Sequence, residues 1–167
     1  DYSYPIIEWH PTGKLLTFIT EDKGQVLLHT YNLKQKSLAT KPIFQIEKVL
    51  SYDFLQSGRQ FVFSGIAEGQ SDLFLYNVLG NTQKNLTKDI YDDLDPVISD
   101  DGNKIYFVSN RLNDSLNMEH EYDAYNQEKD IFVYDLLNDD APIAEITNTG
   151  DRDEIAPLLV GNRILYS

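Results

Sequence analysis

With 27 acidic against 14 basic residues in 167, the chain carries a formal charge of −13, a balance that repels nucleic acid and anionic lipid. It has no cysteine, which excludes a disulfide framework, a cysteine-ligated zinc site and a thiol nucleophile. Hydrophobic residues make up 41% of it, enough to bury a core, yet no apolar run approaches the roughly 20 residues of a membrane-spanning helix.

In chain order, Tyr4 to Trp9 and Leu15 to Thr20 read as the first two strands. Glu21-Asp22-Lys23-Gly24 is a turn, Gln25 to Leu33 a third strand, and a fourth lies within Leu38 to Ile46. Pro42 in that last segment suits an edge strand, where a missing N–H is tolerated. A second set follows at Leu50 to Phe54, Gln60 to Ser64, Asp72 to Val78 and Gln83 to Thr87, with a tight turn at Leu79-Gly80-Asn81-Thr82. A third set comprises Pro96 to Ser99, Lys104 to Asn110, Asp130 to Leu136 and Ile143 to Thr147. Its first two strands meet at Asp100-Asp101-Gly102-Asn103, where glycine supplies the positive φ that such a turn needs. No convincing amphipathic helix interrupts the series.

The sets are copies of one another. When Gly13, Gly58, Gly102 and Gly161 are superposed, Leu16, Phe61, Ile105 and Ile164 fall three places later. Phe18, Phe63, Phe107 and Tyr166 fall five places later, and Lys14, Arg59, Lys104 and Arg163 supply a basic residue just after each glycine. The third strand ends in Tyr31-Asn32-Leu33, Tyr76-Asn77-Val78 and Tyr134-Asp135-Leu136. Its tyrosine lies 18 places after the glycine in the first two copies and 32 places after it in the third, an insertion of 14 residues. A period of about 45 residues is that of one four-stranded propeller blade.

The third copy carries Asp95-Pro96, then Ser99-x-Asp101-Gly102-x-x-Ile105-x-Phe107-x-Ser109, Asp130-Ile-Phe-Val-Tyr-Asp-Leu136 and Ile146-Thr-Asn-Thr-Gly150. This pattern resembles the TolB-type β-propeller repeat. The other copies depart from it locally, with Tyr52 at the position of Pro96 and His10-Pro11-Thr12-Gly13 at the first turn. The resemblance implies an all-β chain, a β-propeller fragment of three four-stranded antiparallel blades and the start of a fourth. The expected blades are 1–47, 48–89 and 90–149, the last with an inserted loop at 111–129, and the fourth begins at 150–167. The chain opens at Asp1 without Met and stops at Ser167 in mid-blade, so a piece of a larger propeller is expected. The resemblance also implies the periplasm or cell surface of a bacterium.

Because loops on a rigid scaffold carry binding, the insertion supplies the candidate partner-binding residues: Glu119, His120, Glu121, Tyr122, Asp123 and Tyr125. Tyrosine rings anchor interfaces, and the carboxylates favour a basic partner or a hard cation. Without an EF-hand spacing, Asp114, Glu119, His120, Glu121 and Asp123 read as a solvated loop; no metal site and no cofactor are expected. With Pro96 laid over Pro157, Asp92 and Asp93 fall on Asp153 and Glu154. That recurrence suggests acids that bond backbone N–H groups where the chain crosses between blades. A row of carboxylates around a channel mouth is the competing reading.

Catalysis within the chain is not expected. There is no Gly-x-Ser-x-Gly elbow, Ser64-Gly65 lacks the preceding glycine, and His10, His29 and His120 sit in three unrelated contexts. The expected role is a non-catalytic interaction or scaffold module of a larger cell-envelope or secreted protein. It would bind protein, peptide or glycan partners through rim loops and channel mouth, without nucleic acid and without direct membrane insertion. The alternative is the substrate-gating propeller of a serine peptidase, prolyl-oligopeptidase-like or tricorn-like, whose catalytic domain lies elsewhere.

Overall fold

The apolar residues three and five places after each turn glycine are the ones that folding hides. The computed structural model describes residues 4–111, 128–149, 152–161 and 163–167. In it Phe61, Phe63, Ile105 and Phe107 are fully buried. Their counterparts in the first copy, Leu16 and Phe18, are half-buried, and Tyr166 in the last is exposed. The middle copies have a neighbour on each face, and the outer ones, among the described residues, have one.

Consecutive strands pair antiparallel in chain order. β1 (Ile6–Trp9), β2 (Leu15–Asp22), β3 (Gln25–Asn32) and β4 (Ser37–Ile43) form the first sheet. β5 (Lys48–Phe54), β6 (Gln60–Ala67), β7 (Gln70–Asn77) and β8 (Thr82–Asn85) form the second. β9 (Asp93–Ile98), β10 (Lys104–Ser109), β11 (Asp130–Asp135) and β12 (Ala144–Glu145) form the third, and β13 (Leu158–Val160) with β14 (Arg163–Leu165) opens a fourth. This is the expected three blades and a beginning. Pro42 lies on β4, an edge strand.

Several strands differ in length from the sequence reading, and three of them show the local reason. β6 and β7 run on to Ala67 and Gln70 because Glu68 and Gly69, with φ of 55° and 81°, close them in a two-residue turn of the primed kind. The outer strand expected at Ile143 to Thr147 shrinks to Ala144–Glu145. There the Thr147 hydroxyl accepts the Ile131 N–H at 2.8 Å, a side chain standing in for the ladder. Thr87 does the same for Leu73 at 3.0 Å beyond β8. In both blades a threonine hydroxyl thus terminates the outer strand.

Alternation splits the middle sheet between two cores. Phe61, Phe63, Phe74 and Tyr76 pack with Ile19, Val26, Leu28 and Ile43 of the first sheet. Val62 and Leu73, on the opposite face, pack with Ile98, Ile105, Phe107 and Phe132 of the third. Polar bonds fasten the same joints. Thr17 Oγ1 and the Tyr52 hydroxyl are 2.9 Å apart, the Ile98 N–H donates to Asp53 Oδ2 at 2.8 Å, and the Ser64 hydroxyl donates to the Asp93 carbonyl at 2.6 Å.

The inner strands β5 and β9 are bulged. Pairing of β9 with β10 shifts between Tyr106 and Val108, and Asp95 at the shift has φ of 49°. Ala156, before Pro157 in the fourth copy, has φ of 52°. The superposition of Pro96 on Pro157 therefore matches backbone conformation even where Asp has become Ala.

Gly58 has φ of 64°, and a Cβ placed there would collide with the imidazole of His10, whose Nε2 lies 3.0 Å from the Gly58 carbonyl oxygen. Gly102, at φ of 72°, has open space around it. Gly102→Ala is expected to cost about 1–2 kcal/mol, the left-handed penalty alone. Gly58→Ala should cost at least about 1 kcal/mol more, because the His10 contact between blades is lost as well. Urea denaturation of the two variants measures the difference, and equal losses would contradict the contact.

Candidate functional site

The innermost strands β1, β5, β9 and β13 stand side by side and line a groove of about 540 Å³. Carboxylates reach it from three blades: Glu8 on β1, Asp53 on β5, and Asp95 and Asp100 on and after β9. Among the described residues, no basic side chain lines it. Pro96, Pro157 and the ring of Tyr52 form apolar wall between the acids.

The groove acids are not equivalent. Burial raises the Asp53 pKa, and the Ile98 N–H bonded to its Oδ2 works against that rise. Burial also raises Glu8, and the charge of Asp53 adds to the effect. The Tyr52 phenol is pushed up to about 12 by burial, against its bond with Thr17. Asp95 is half-buried and Asp100 exposed.

A second ionic cluster lies at the junction of the second and third sheets. Arg111, just past β10, is 4% exposed. Its Nη2 donates to both oxygens of fully buried Asp93, at 2.7 and 2.9 Å, and its Nε donates to the Ser109 hydroxyl at 3.0 Å. The guanidinium carbon lies 5.4 Å from the ring centres of Tyr91 and Phe107 and 5.6 Å from that of Phe132. Asp89 on the β8–β9 connection is 3.3 Å from Nη2, and Asp72 on β7 joins the same group of carboxylates. Burial first, and then Asp93, push Asp89 up to about 7. Asp93 is also raised by burial, opposed chiefly by Arg111.

The sequence-stretch acids take different partners. Asp153 accepts the Lys129 backbone N–H at 2.9 Å, the crossover role that the repeat suggested. Asp92 accepts the Ser71 hydroxyl at 2.5 Å, and Glu154 that of Thr149 at 2.5 Å. Asp93 holds Arg111 instead. Ser64 is fully buried, its hydroxyl committed to the Asp93 carbonyl. The His29 ring stacks on Phe18 with centres 4.6 Å apart and lies 2.9 Å from the hydroxyls of Thr20 and Thr40. Glu119, His120, Glu121, Tyr122, Asp123 and Tyr125 lie outside the described residues. The row of carboxylates weighed as a competing reading was the one sequence hint of the groove, whereas the Asp72–Asp89–Arg111 association had no signal, because its members are separated by tens of residues. For Arg111 the only hint was its place directly after a buried strand.

These sheets superpose on known propellers. The match to TolB from Acinetobacter baumannii has a TM-score of 0.71 at 15% identity, covering 96% of this chain and 36% of that one. The fold is a TolB-like β-propeller. TolB from Agrobacterium tumefaciens matches with a TM-score of 0.63 at 18% identity, over 87% of this chain and 50% of that one. A puromycin-hydrolyzing peptidase from Mycobacterium tuberculosis matches at 0.64 and 9% identity, over 93% of this chain and 23% of that one. No protein-family model matches the sequence, and no curated protein matches it. The chain spans half or less of each of these TolB-like and peptidase structures.

Two outcomes follow from the charges. Folding favours the neutral form of Asp53, since its folded pKa is raised above 3.8. Its stabilising contribution is therefore complete below that value and is lost as pH rises through the folded pKa. Asp53→Asn keeps an acceptor for the Ile98 N–H and should raise Tm near about pH 7 but not near about pH 3. Asp53→Leu orphans that N–H and should cost about 1–3 kcal/mol. A rise of equal size at both pH values for the Asn variant would refute the sign. At the second cluster, Arg111→Ala strands a buried carboxylate and should cost about 3–5 kcal/mol, with much of the loss recovered when Asp93→Leu is added. Chemical denaturation of the single and double variants tests this.

Proposed function

We propose that this chain is a non-catalytic interaction module of a larger bacterial cell-envelope or secreted protein, and that it receives a basic segment of a protein or peptide partner. The groove carries the reading. Four carboxylates, with no basic side chain lining the groove among the described residues, reach a concave surface formed by strands from separate blades. Such a surface attracts Lys and Arg side chains and disfavours nucleic acid. The prolines and Tyr52 give apolar wall for the stems of long cationic side chains. The inserted stretch 111–129 supplies further anchors in this reading: the acids Glu119, Glu121 and Asp123, with His120 and the rings of Tyr122 and Tyr125. A periplasmic or cell-surface setting is part of the proposal, drawn from the likeness to TolB.

Calorimetric titration with matched basic and acidic peptides tests it. The basic peptide is expected to bind, more weakly as salt rises, and the acidic one not to bind. Asp95→Asn combined with Asp100→Asn should weaken binding roughly tenfold, about 1.4 kcal/mol, because both acids sit where solvent reaches them and neither substitution disturbs the core. Replacing 113–127 by a short turn should leave Tm nearly unchanged, since loop length acts weakly on stability, while reducing affinity. Equal binding of both peptides, or unchanged affinity in the groove double variant, would sink the groove reading; unchanged affinity in the shortened chain would sink the role of the insertion.

A further inference from the structure

We infer that two copies of this chain associate head to tail, the fourth sheet of each packing on the outer face of the first sheet of the other. The inference is independent of the groove reading. Directly opposed residues share a face, so the pairings place Trp9, Leu16, Tyr31 and Leu38 in one row on the first sheet and Ile7, Phe18 and His29 in the next. Ile19, Val26, Leu28 and Ile43 occupy the opposite face and pack on the second sheet. Among the described residues the outer rows have no such neighbour, and Ile7, Trp9 and Leu38 are each more than half exposed.

The composition of these rows is that of a buried surface. Neither carries an acid, a lysine or an arginine, although the chain holds 27 acidic and 14 basic residues in 167. The single tryptophan of the chain lies there. Contiguous apolar surface of this kind on a soluble protein marks an interaction site. An uncharged face also lets a second acidic chain approach where repulsion between copies is least.

The other end of the same chain carries the matching face. Leu158 opposes Leu165 on the two strands of the fourth sheet, and Val160 lies two residues from Leu158 on the same side. All three are more than half exposed. Leu159 and Ile164, on the reverse side, line a cavity of about 350 Å³ with Tyr106 of the third sheet. The first and fourth sheets therefore leave open faces of opposite sense, which is what heterologous association requires. Arg163, opposite Val160, adds a basic side chain to the face that meets an acidic partner.

The repeat supplies the register. Within the chain, Thr17, four places after Gly13, meets Tyr52, six places before Gly58, across the joint of the first two sheets. The same positions on the open faces are Leu165, four places after Gly161, and Ile7, six places before Gly13. Both are exposed and apolar. A joint between copies that repeats the joint within the chain sets Leu165 of one copy against Ile7 of the next. Three sheets and part of a fourth from each copy make a ring within the usual range of about four to eight blades, which lets the association close at two copies.

Sedimentation equilibrium and tryptophan fluorescence test this on the full chain. Mass is expected to rise from one copy to two over roughly 1–100 μM. Emission should shift to the blue in step, since Trp9 is the sole tryptophan and lies on the joint. Salt should strengthen the dimer, because each copy carries −13, whereas it weakens a basic peptide in the groove. Ile7→Glu and Leu165→Glu change exposed side chains, so both variants should fold, as circular dichroism and Tm report. Each alone should weaken dimerisation at least about tenfold. An equimolar mixture of the two should regain part of it, because one joint of the mixed pair keeps Ile7 against Leu165. Leu79→Glu, on the exposed β7–β8 turn of the second sheet, should change nothing. A chain that stays a single copy at about 500 μM, with Trp9 emission still that of an exposed ring, overturns the inference. A dimer that survives either face variant overturns it too, and a mixture that regains nothing refutes the head-to-tail arrangement.

Discussion

The second sheet has two apolar faces, and it buries both only because it lies between two other sheets. That constraint governs the rest. Phe61 and Phe63 go to one neighbour, Val62 and Leu73 to the other, and the middle blade has no solvated face left. At roughly 25 cal/mol per Å² of apolar surface, a sheet that left one face bare would forfeit much of what holds it folded. The blades therefore cohere as a stack, and the groove along their inner strands exists only because the stack does.

Packing sheets this way traps polar groups between them, and each trapped group needs a partner from the next blade. Asp53 answers the Ile98 N–H, Ser64 answers the Asp93 carbonyl, and Arg111 answers Asp93 under three aromatic rings. These contacts add little net energy compared with the cores, yet they permit one registry between neighbours. A shift of one residue would leave several buried groups unsatisfied at once. The acids near the inner strands thus have two fates. Those beneath the joint, such as Asp93, are locked, and those on the groove, such as Asp95 and Asp100, face outward.

The net charge of −13 gains meaning from this division. Charge on the outer rims serves solubility. Charge on the groove is concentrated by the inward convergence of the blades, each of which contributes its innermost strand. Burial raises the pKa values of Glu8 and Asp53, and the charge of Asp53 adds to the rise at Glu8.

Glycine spacing, paired apolar residues at three and five places beyond it, and the Tyr-Asn/Asp ending were enough to read blade number, strand order and the edge position of β4, because each is set by local turns and by a period of two. The same local logic made the recurrence of Asp153 legible as a crossover acid. What lay outside it was everything that depends on how neighbouring blades superpose. His10 read as an altered turn residue, and folding seats it over Gly58 of the next blade. Arg111 read as the start of a loop, and it is a buried counter-ion for Asp93, 18 positions upstream. Asp72 and Asp89 carried no mark in the chain, since nothing local distinguishes a strand aspartate that meets two others from one that meets water. The sequence by itself determined the blade, whose information is written within some 45 residues. The groove and the carboxylate cluster were decided only by tertiary structure, because distance through space between residues of different blades is set by the packing of whole sheets and by no spacing along the chain.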